Sequence, residues 1–167
     1  MNTAVILLAA ITPLIHHIEA VPVPVREPVA VMDIGCSATN ACILTESEID
    51  LVSRLIWLEA RGESAECQKA IAEVLHNRLQ SGLWGDTIED VIYAQQNGYW
   101  EFEPVPYLYT AEVDEDIREI VAEVFTNGSE ISGDILYFRA DYYHAWAINE
   151  FHIDNTYFSS SPWYQEV

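Results

Sequence analysis

Ile56-Trp57-Leu58-Glu59-Ala60-Arg61-Gly62-Glu63 puts a carboxyl where a helical pattern asks for an apolar side chain. Ile49, Val52 and Ile56 recur at intervals of three and four, the mark of one buried helix face, and Glu59 is the next position on it. Upstream, Thr45 and Glu48 have capping-box spacing and start the helix. Downstream, Arg61-Gly62 ends it, with Gly62 expected in the left-handed conformation that terminates helices. A charged carboxyl in a core-facing stripe is costly. Two readings follow. Burial raises the pKa of Glu59, so that it holds a proton near neutral pH and serves as a general acid; or it pairs with Arg54, Arg61 or another cation and merely finishes a helix. Periodicity leaves both open.

The chain has 167 residues, half of them hydrophobic, with five Trp, nine Tyr and five Phe. That suits one domain with a real core plus an extension at one end. Asp and Glu number 27 against seven Lys and Arg, a net charge of −20. Such a balance argues against nucleic acid, whose phosphates are met by Lys and Arg, and gives no attraction to an anionic membrane. The three cysteines do not make a disulfide framework. Cys36 and Cys42 are close enough to pair across a short loop in an exported protein, while Cys67 falls in a helical pattern as a small buried residue. No Cys/His spacing resembles a metal site, and no cofactor is implied.

Residues 4–15 form an apolar run too short to span a bilayer but of the length of a secretory signal core, with Ile18-Glu19-Ala20 as a cleavage site. Residues 1–20 are therefore read as a signal or an apolar N-terminal segment, and 21–44, which opens Val-Pro-Val-Pro-Val, as a Pro-rich linker. The expected location is secreted if 1–20 act as a signal, and cytoplasmic otherwise. The folded domain spans 45–167. Ser64 caps a second helix with Ala70, Ile71, Val74, Leu75 and Leu79 as its stripe and Ser81-Gly82 as its end. Trp84-Gly85-Asp86 is a turn, and Thr87 with Asp90 caps a short third helix. Residues 94–110 are rich in aromatics and too irregular for a helix or long strand; most of those rings are expected to plug the core, with one or two lining a groove. Ile117, Ile120, Val121, Val124 and Phe125 mark another helix, closed by Asn127-Gly128. Ile135-Leu136-Tyr137-Phe138 reads as a strand, and 150–158 as a second. The fold class is α+β, mostly α, with a small hairpin late in the chain.

Polar residues stand out against this frame. Glu63 lies beyond the Gly62 break, where a carboxylate favours a helix start. Asn77 and Arg78 sit inside the second helix, an odd place for Asn; they bond towards Glu59 or face solvent.

Leu55-Ile56-Trp57-Leu58-Glu59-Ala60-Arg61-Gly62-Glu63, followed by Gln68, Ala70, Ala72, Val74 and Asn77-Arg78, resembles the core motif of the SleB-type cell-wall hydrolases, which include the spore cortex-lytic enzymes. Gly133-Asp134-Ile135-Leu136-Tyr137-Phe138 resembles the Gly-x-x-Leu-Tyr-Phe segment of that family. Glu101-Phe102 falls where it usually has Gln-Phe, and Tyr157-Phe158 matches its closing aromatic region. The resemblance spans roughly residues 46–160. It implies a lysozyme-like fold and cleavage of the β-1,4 bond between N-acetylmuramic acid and N-acetylglucosamine by a lytic transglycosylase, with Glu59 as acid and then base. Glu63, Asn77, Arg78, Glu101, Phe102 and Tyr137 become candidates for positioning substrate or Glu59. The implied partner is the peptidoglycan glycan strand, with no nucleic acid, no stable membrane insertion and a monomeric state. The implied location is secreted or wall-associated if 1–20 act as a signal, otherwise cytoplasmic until lysis. The alternatives are a hydrolytic muramidase and a non-catalytic glycan-binding protein on the same scaffold. Four positions depart from the family pattern: Trp57 stands for Tyr, Cys67 for a small Gly, Glu101 for Gln, and Thr156 where His is frequent. Glu101 is expected to add negative charge near a groove and so to raise the pKa of Glu59.

Overall fold

The computed structural model describes residues 42–163. The expected signal at 1–20, most of the linker and Cys36 lie outside them. Cys42 is disulfide-bonded.

Helix α1 runs Glu46–Ala60 and opens with the expected capping box: the Thr45 hydroxyl accepts from Glu48 N–H, and the Glu48 carboxylate accepts from Thr45 N–H. Val52, Leu55, Ile56 and Ala60 are buried. Its end differs from expectation. The C-cap is Arg61 in the right-handed region, and Gly62 is not among the glycines at positive φ. Arg61 N–H donates to Trp57 O, Glu63 N–H to Ala60 O, and the Gln68 amide also reaches Ala60 O. These bonds satisfy the last turn's carbonyls without a left-handed residue, and the chain passes directly to Ser64.

Ser64 caps α2 (Ala65–Ser81) by accepting from Cys67 N–H, and Gly82 at φ 64° closes it in the left-handed conformation. From Ala70 to Arg78 every residue is buried. This is the central helix, packed by α1, by α3 (Ile88–Ile92) and by α4 (Glu115–Asn127). A helix buried on all sides must satisfy its polar groups internally. The Glu73 carboxylate accepts from Glu130 N–H at 2.8 Å, and the His76 ring meets Phe125 edge-on at 5.5 Å. At the surface, Arg118 of α4 pairs with Glu46 and Asp50 of α1, tying the N-terminal halves of the two helices.

Residues 94–110 contain two-residue strands, β1 (Gln95–Gln96) and β2 (Tyr99–Trp100), joined by Asn97 and Gly98, both at positive φ. That is the backbone of a type I′ hairpin turn. A 3₁₀ helix follows at Val105–Thr110. The aromatics here do not mostly plug the core. Phe102 does, but Tyr99, Tyr107 and Tyr109 are exposed, Tyr109 at 92%.

The late hairpin is a three-stranded antiparallel sheet in the order β3-β5-β4, from β3 (Tyr137–Ala140), β4 (Ile148–Ile153) and β5 (Thr156–Ser160). The segment expected as one strand is two, reversed at Asp154-Asn155 with Asp154 at φ 51°. Phe158 on the central strand is fully buried, stacks on Phe151 at 4.9 Å and leans on Phe138 at 6.2 Å, anchoring the sheet to the helical core.

Candidate active site

An open groove of about 840 Å³ lies where the end of α1, the inner face of α2, the β1–β2 region and strand β3 converge. Glu59, Arg78, Glu101, Phe102 and Tyr137 all line it, so the fold gathers five of the seven candidate residues. Glu63 and Asn77 are not among the lining residues.

Arg78 is the structural centre of this site. It is 4% exposed. Its Nε–H donates to Leu136 O at 2.7 Å, and Nη1 lies 3.5 Å from Glu101 Oε2. The guanidinium packs over the rings of Trp84, Phe102 and Tyr137 at 4.4, 4.9 and 5.5 Å. Cation–ring contact and an ion pair together offset the cost of burying the charge. Burial pulls its pKa down to about 10, so it stays charged at neutral pH.

Glu59 sits half-buried in the last turn of α1. Neither expected arginine takes it: Arg61 lies over the Trp57 ring at 4.7 Å, and Arg54 reaches Leu108 O. Among the described residues it forms no ion pair. Desolvation pushes its pKa up to about 7, the negative charge of Glu103 adds to the rise, and the positive charge of Arg78 opposes it. The carboxylate acting on Glu59 is therefore Glu103 rather than Glu101, whose charge is engaged by Arg78.

Asn77 faces neither Glu59 nor solvent. Its Nδ2 donates to Ser132 O at 3.0 Å and Ile135 O at 3.3 Å, holding the segment that leads into β3. Asn77→Ala leaves the buried Ile135 carbonyl and the part-buried Ser132 carbonyl without their donor and should cost about 1–3 kcal/mol, read as a lower denaturation midpoint; an unchanged midpoint would mean that the bonds do not clamp this segment. Glu63 accepts from Asn155 N–H at 3.4 Å, and neighbouring Asp154 accepts from Ser64 N–H at 2.8 Å. With the buried Cys67 they bring ligand-type atoms within 4.8 Å of one another, but both carboxylates already serve as clips between the β4–β5 turn and the α1–α2 junction.

Residues that sequence reading passed over complete the groove: Trp84, Glu103, Arg139, His144, Trp146 and Trp163. Trp84 reads only as part of a turn, although Tyr142-Tyr143-His144-Ala145-Trp146 is an aromatic-rich run between strands. Tyr137 meets Trp146 edge-on at 4.9 Å, His144 stacks flat on Trp146 at 4.4 Å, and Trp163 leans on Trp146 at 5.5 Å. A carboxyl with a raised pKa in a groove lined by rings is suited to acid chemistry on a ligand with flat, weakly polar faces.

The sequence profile of the cell wall hydrolase family matches residues 62–159, more than half of the chain. The chain belongs to the cell wall hydrolase family. Over 100 residues it is 35% identical to the spore cortex-lytic enzyme of Oceanobacillus iheyensis and 33% identical to that of Bacillus subtilis. Those alignments take in 56% of this chain and 33% and 30% of the two relatives, so the chain spans about a third of their length. No solved structure matches it. The matched range of this family member covers Arg78, Glu101, Phe102, Glu103 and the sheet, and it begins three residues after Glu59. The reading of Glu59 thus rests on its geometry.

Proposed function

We propose that this groove cleaves the β-1,4 bond between N-acetylmuramic acid and N-acetylglucosamine in peptidoglycan, as a lytic transglycosylase with Glu59 as acid and then base. The observation that carries the reading is a carboxyl that forms no ion pair among the described residues, held near pKa 7 by burial at the edge of an open aromatic groove. Glu59 donates its proton to the glycosidic oxygen as the C1–O bond breaks, and positive charge develops on the sugar ring. The resulting carboxylate takes the proton of the muramyl 6-hydroxyl as O6 bonds to C1. The product carries a 1,6-anhydro end, and Glu59 regains its proton with no water consumed. Arg78, Glu101, Phe102 and Tyr137 form the wall against which the glycan lies. The lysozyme-like relationship implied by the family resemblance, a monomeric state and export through residues 1–20 belong to the same proposal.

Glu103, the groove carboxylate outside the Arg78–Glu101 pair, favours one competing reading, in which it activates water and the enzyme hydrolyses the bond. Mass spectrometry of released muropeptides separates the two, since anhydro ends are lighter by one water; products lacking anhydro ends would overturn the transglycosylase scheme.

The pH dependence has a defined sign. Glu59 must carry its proton to act as acid, so activity should fall as pH rises through about 7. Glu103→Gln removes a charge that raises the Glu59 pKa, and the alkaline limb should move to lower pH while turnover persists on the acid side. Loss of turnover at every pH would instead assign Glu103 to the reaction.

A further inference from the structure

Arg139 is the groove cation without an acidic partner. Among the described residues, Lys69 pairs with Glu130, Arg78 with Glu101 and Arg118 with three carboxylates, while no ion pair includes Arg54, Arg61 or Arg139, of which Arg139 alone lines the groove. This occurs in a chain of net charge −20, where acidic partners abound. Arg139 is half-buried on β3, two residues from Tyr137 and so on the same strand face. Its guanidinium lies 3.8 Å over the Tyr142 ring, and Nη1 is 3.5 Å from His144 Nδ1. Its Nε–H is buried and has no acceptor among the described residues. A buried donor without a partner is costly, and a ring below plus an imidazole beside it hold the guanidinium in one place. Ring contacts run from Arg78 through Tyr137 and Trp146 to His144, linking this cation to the Glu59 part of the groove.

Building on the peptidoglycan reading, we propose that Arg139 is an anion-reading subsite that binds a carboxylate carried by a muramyl residue, with His144 orienting the guanidinium and Trp146 flooring the adjacent sugar. The fork of N–H donors on a guanidinium matches a carboxylate, and the orphaned Nε–H is the donor such a ligand would complete. The carboxylate is that of the lactyl arm or of the stem peptide. A neutral sugar polymer offers neither, and a muramyl residue whose lactyl carboxyl is closed into a lactam has lost the first.

The test uses the full chain as Glu59→Gln, which separates binding from cleavage, and calorimetric titration with three probes: a neutral chito-oligosaccharide, peptide-stripped glycan with free lactyl carboxylates, and glycan bearing stem peptides. Arg139→Ala should weaken binding of an acidic glycan at least tenfold and change chito-oligosaccharide binding less than twofold, with Arg139→Lys between the two. Amidating the carboxylates of the preferred probe should reproduce the loss and cancel the effect of Arg139→Ala. Loss on the peptide-stripped glycan assigns the lactyl carboxylate; loss confined to stem-bearing glycan assigns the peptide. Equal weakening on all three probes, or none on any, overturns the subsite while leaving the peptidoglycan assignment standing. If the parent variant binds no acidic glycan at all, both fall together.

Discussion

Glu59→Gln should lower release of muropeptides from peptidoglycan about a thousandfold or more, as expected when a positioned general acid is removed, with the fold intact. The amide preserves the shape of the side chain and cannot donate a carboxylic proton. Stability gives an independent readout with a defined sign. Folding raises the Glu59 pKa from 4.5 to about 7, so between those values the folded state holds a proton that the unfolded state has released. The contribution of Glu59 to stability therefore declines as pH rises from about 4.5 to 7, and its full cost is present above that window. The cost is at most about 3 kcal/mol, reduced by water at the groove mouth. Glu59→Gln should match the parent near pH 4 and exceed it at pH 8, as seen in denaturant melts at the two values. Full activity in a folded Glu59→Gln variant would remove Glu59 from its role, and an unfolded spectrum would show that the carboxyl is needed for the fold instead.

Arg78→Ala should be the most destabilising single change in the groove, by about 3–5 kcal/mol, the range for breaking a buried ion pair from one side. It strands the Glu101 carboxylate, removes the donor from Leu136 O and empties the space between three rings. Arg78→Lys keeps the charge but lacks both the Nε–H donor and a planar face, so it should recover less than half of the loss. Denaturant midpoints of the two variants decide the matter; a loss below about 1 kcal/mol for Arg78→Ala would mean that the guanidinium behaves as a surface charge.

The helices were legible because their signals are local. Thr45 with Glu48, Ser64, Gly82 and Thr87 with Asp90 cap the elements they announce, and spacing alone identifies the stripes of α1, α2 and α4. Gly62 misled because a residue able to adopt positive φ need not do so when the next N-cap follows at once. Asn97-Gly98 carries a hairpin signature, but its strands are two residues each, too short for any alternation to show. The pairing of β3 with β5 joins residues about twenty apart in the chain, and no local pattern encodes it. The same holds for the site. Glu59 is visible as a misfit on its own helix, whereas Glu103, Arg139 and Trp146 gain meaning only when distant segments meet.

The clips at Glu63 and Asp154 give the groove a property that its lining residues do not. They fasten the β4–β5 turn to the junction just beyond Glu59, and β5 pairs directly with the strand carrying Tyr137 and Arg139. Acid and wall are held in register by a joint outside the groove. On the proposed function, a glycan would then find little of the site left to assemble, so less of its binding energy would go into ordering the protein and more would remain for aligning the scissile bond.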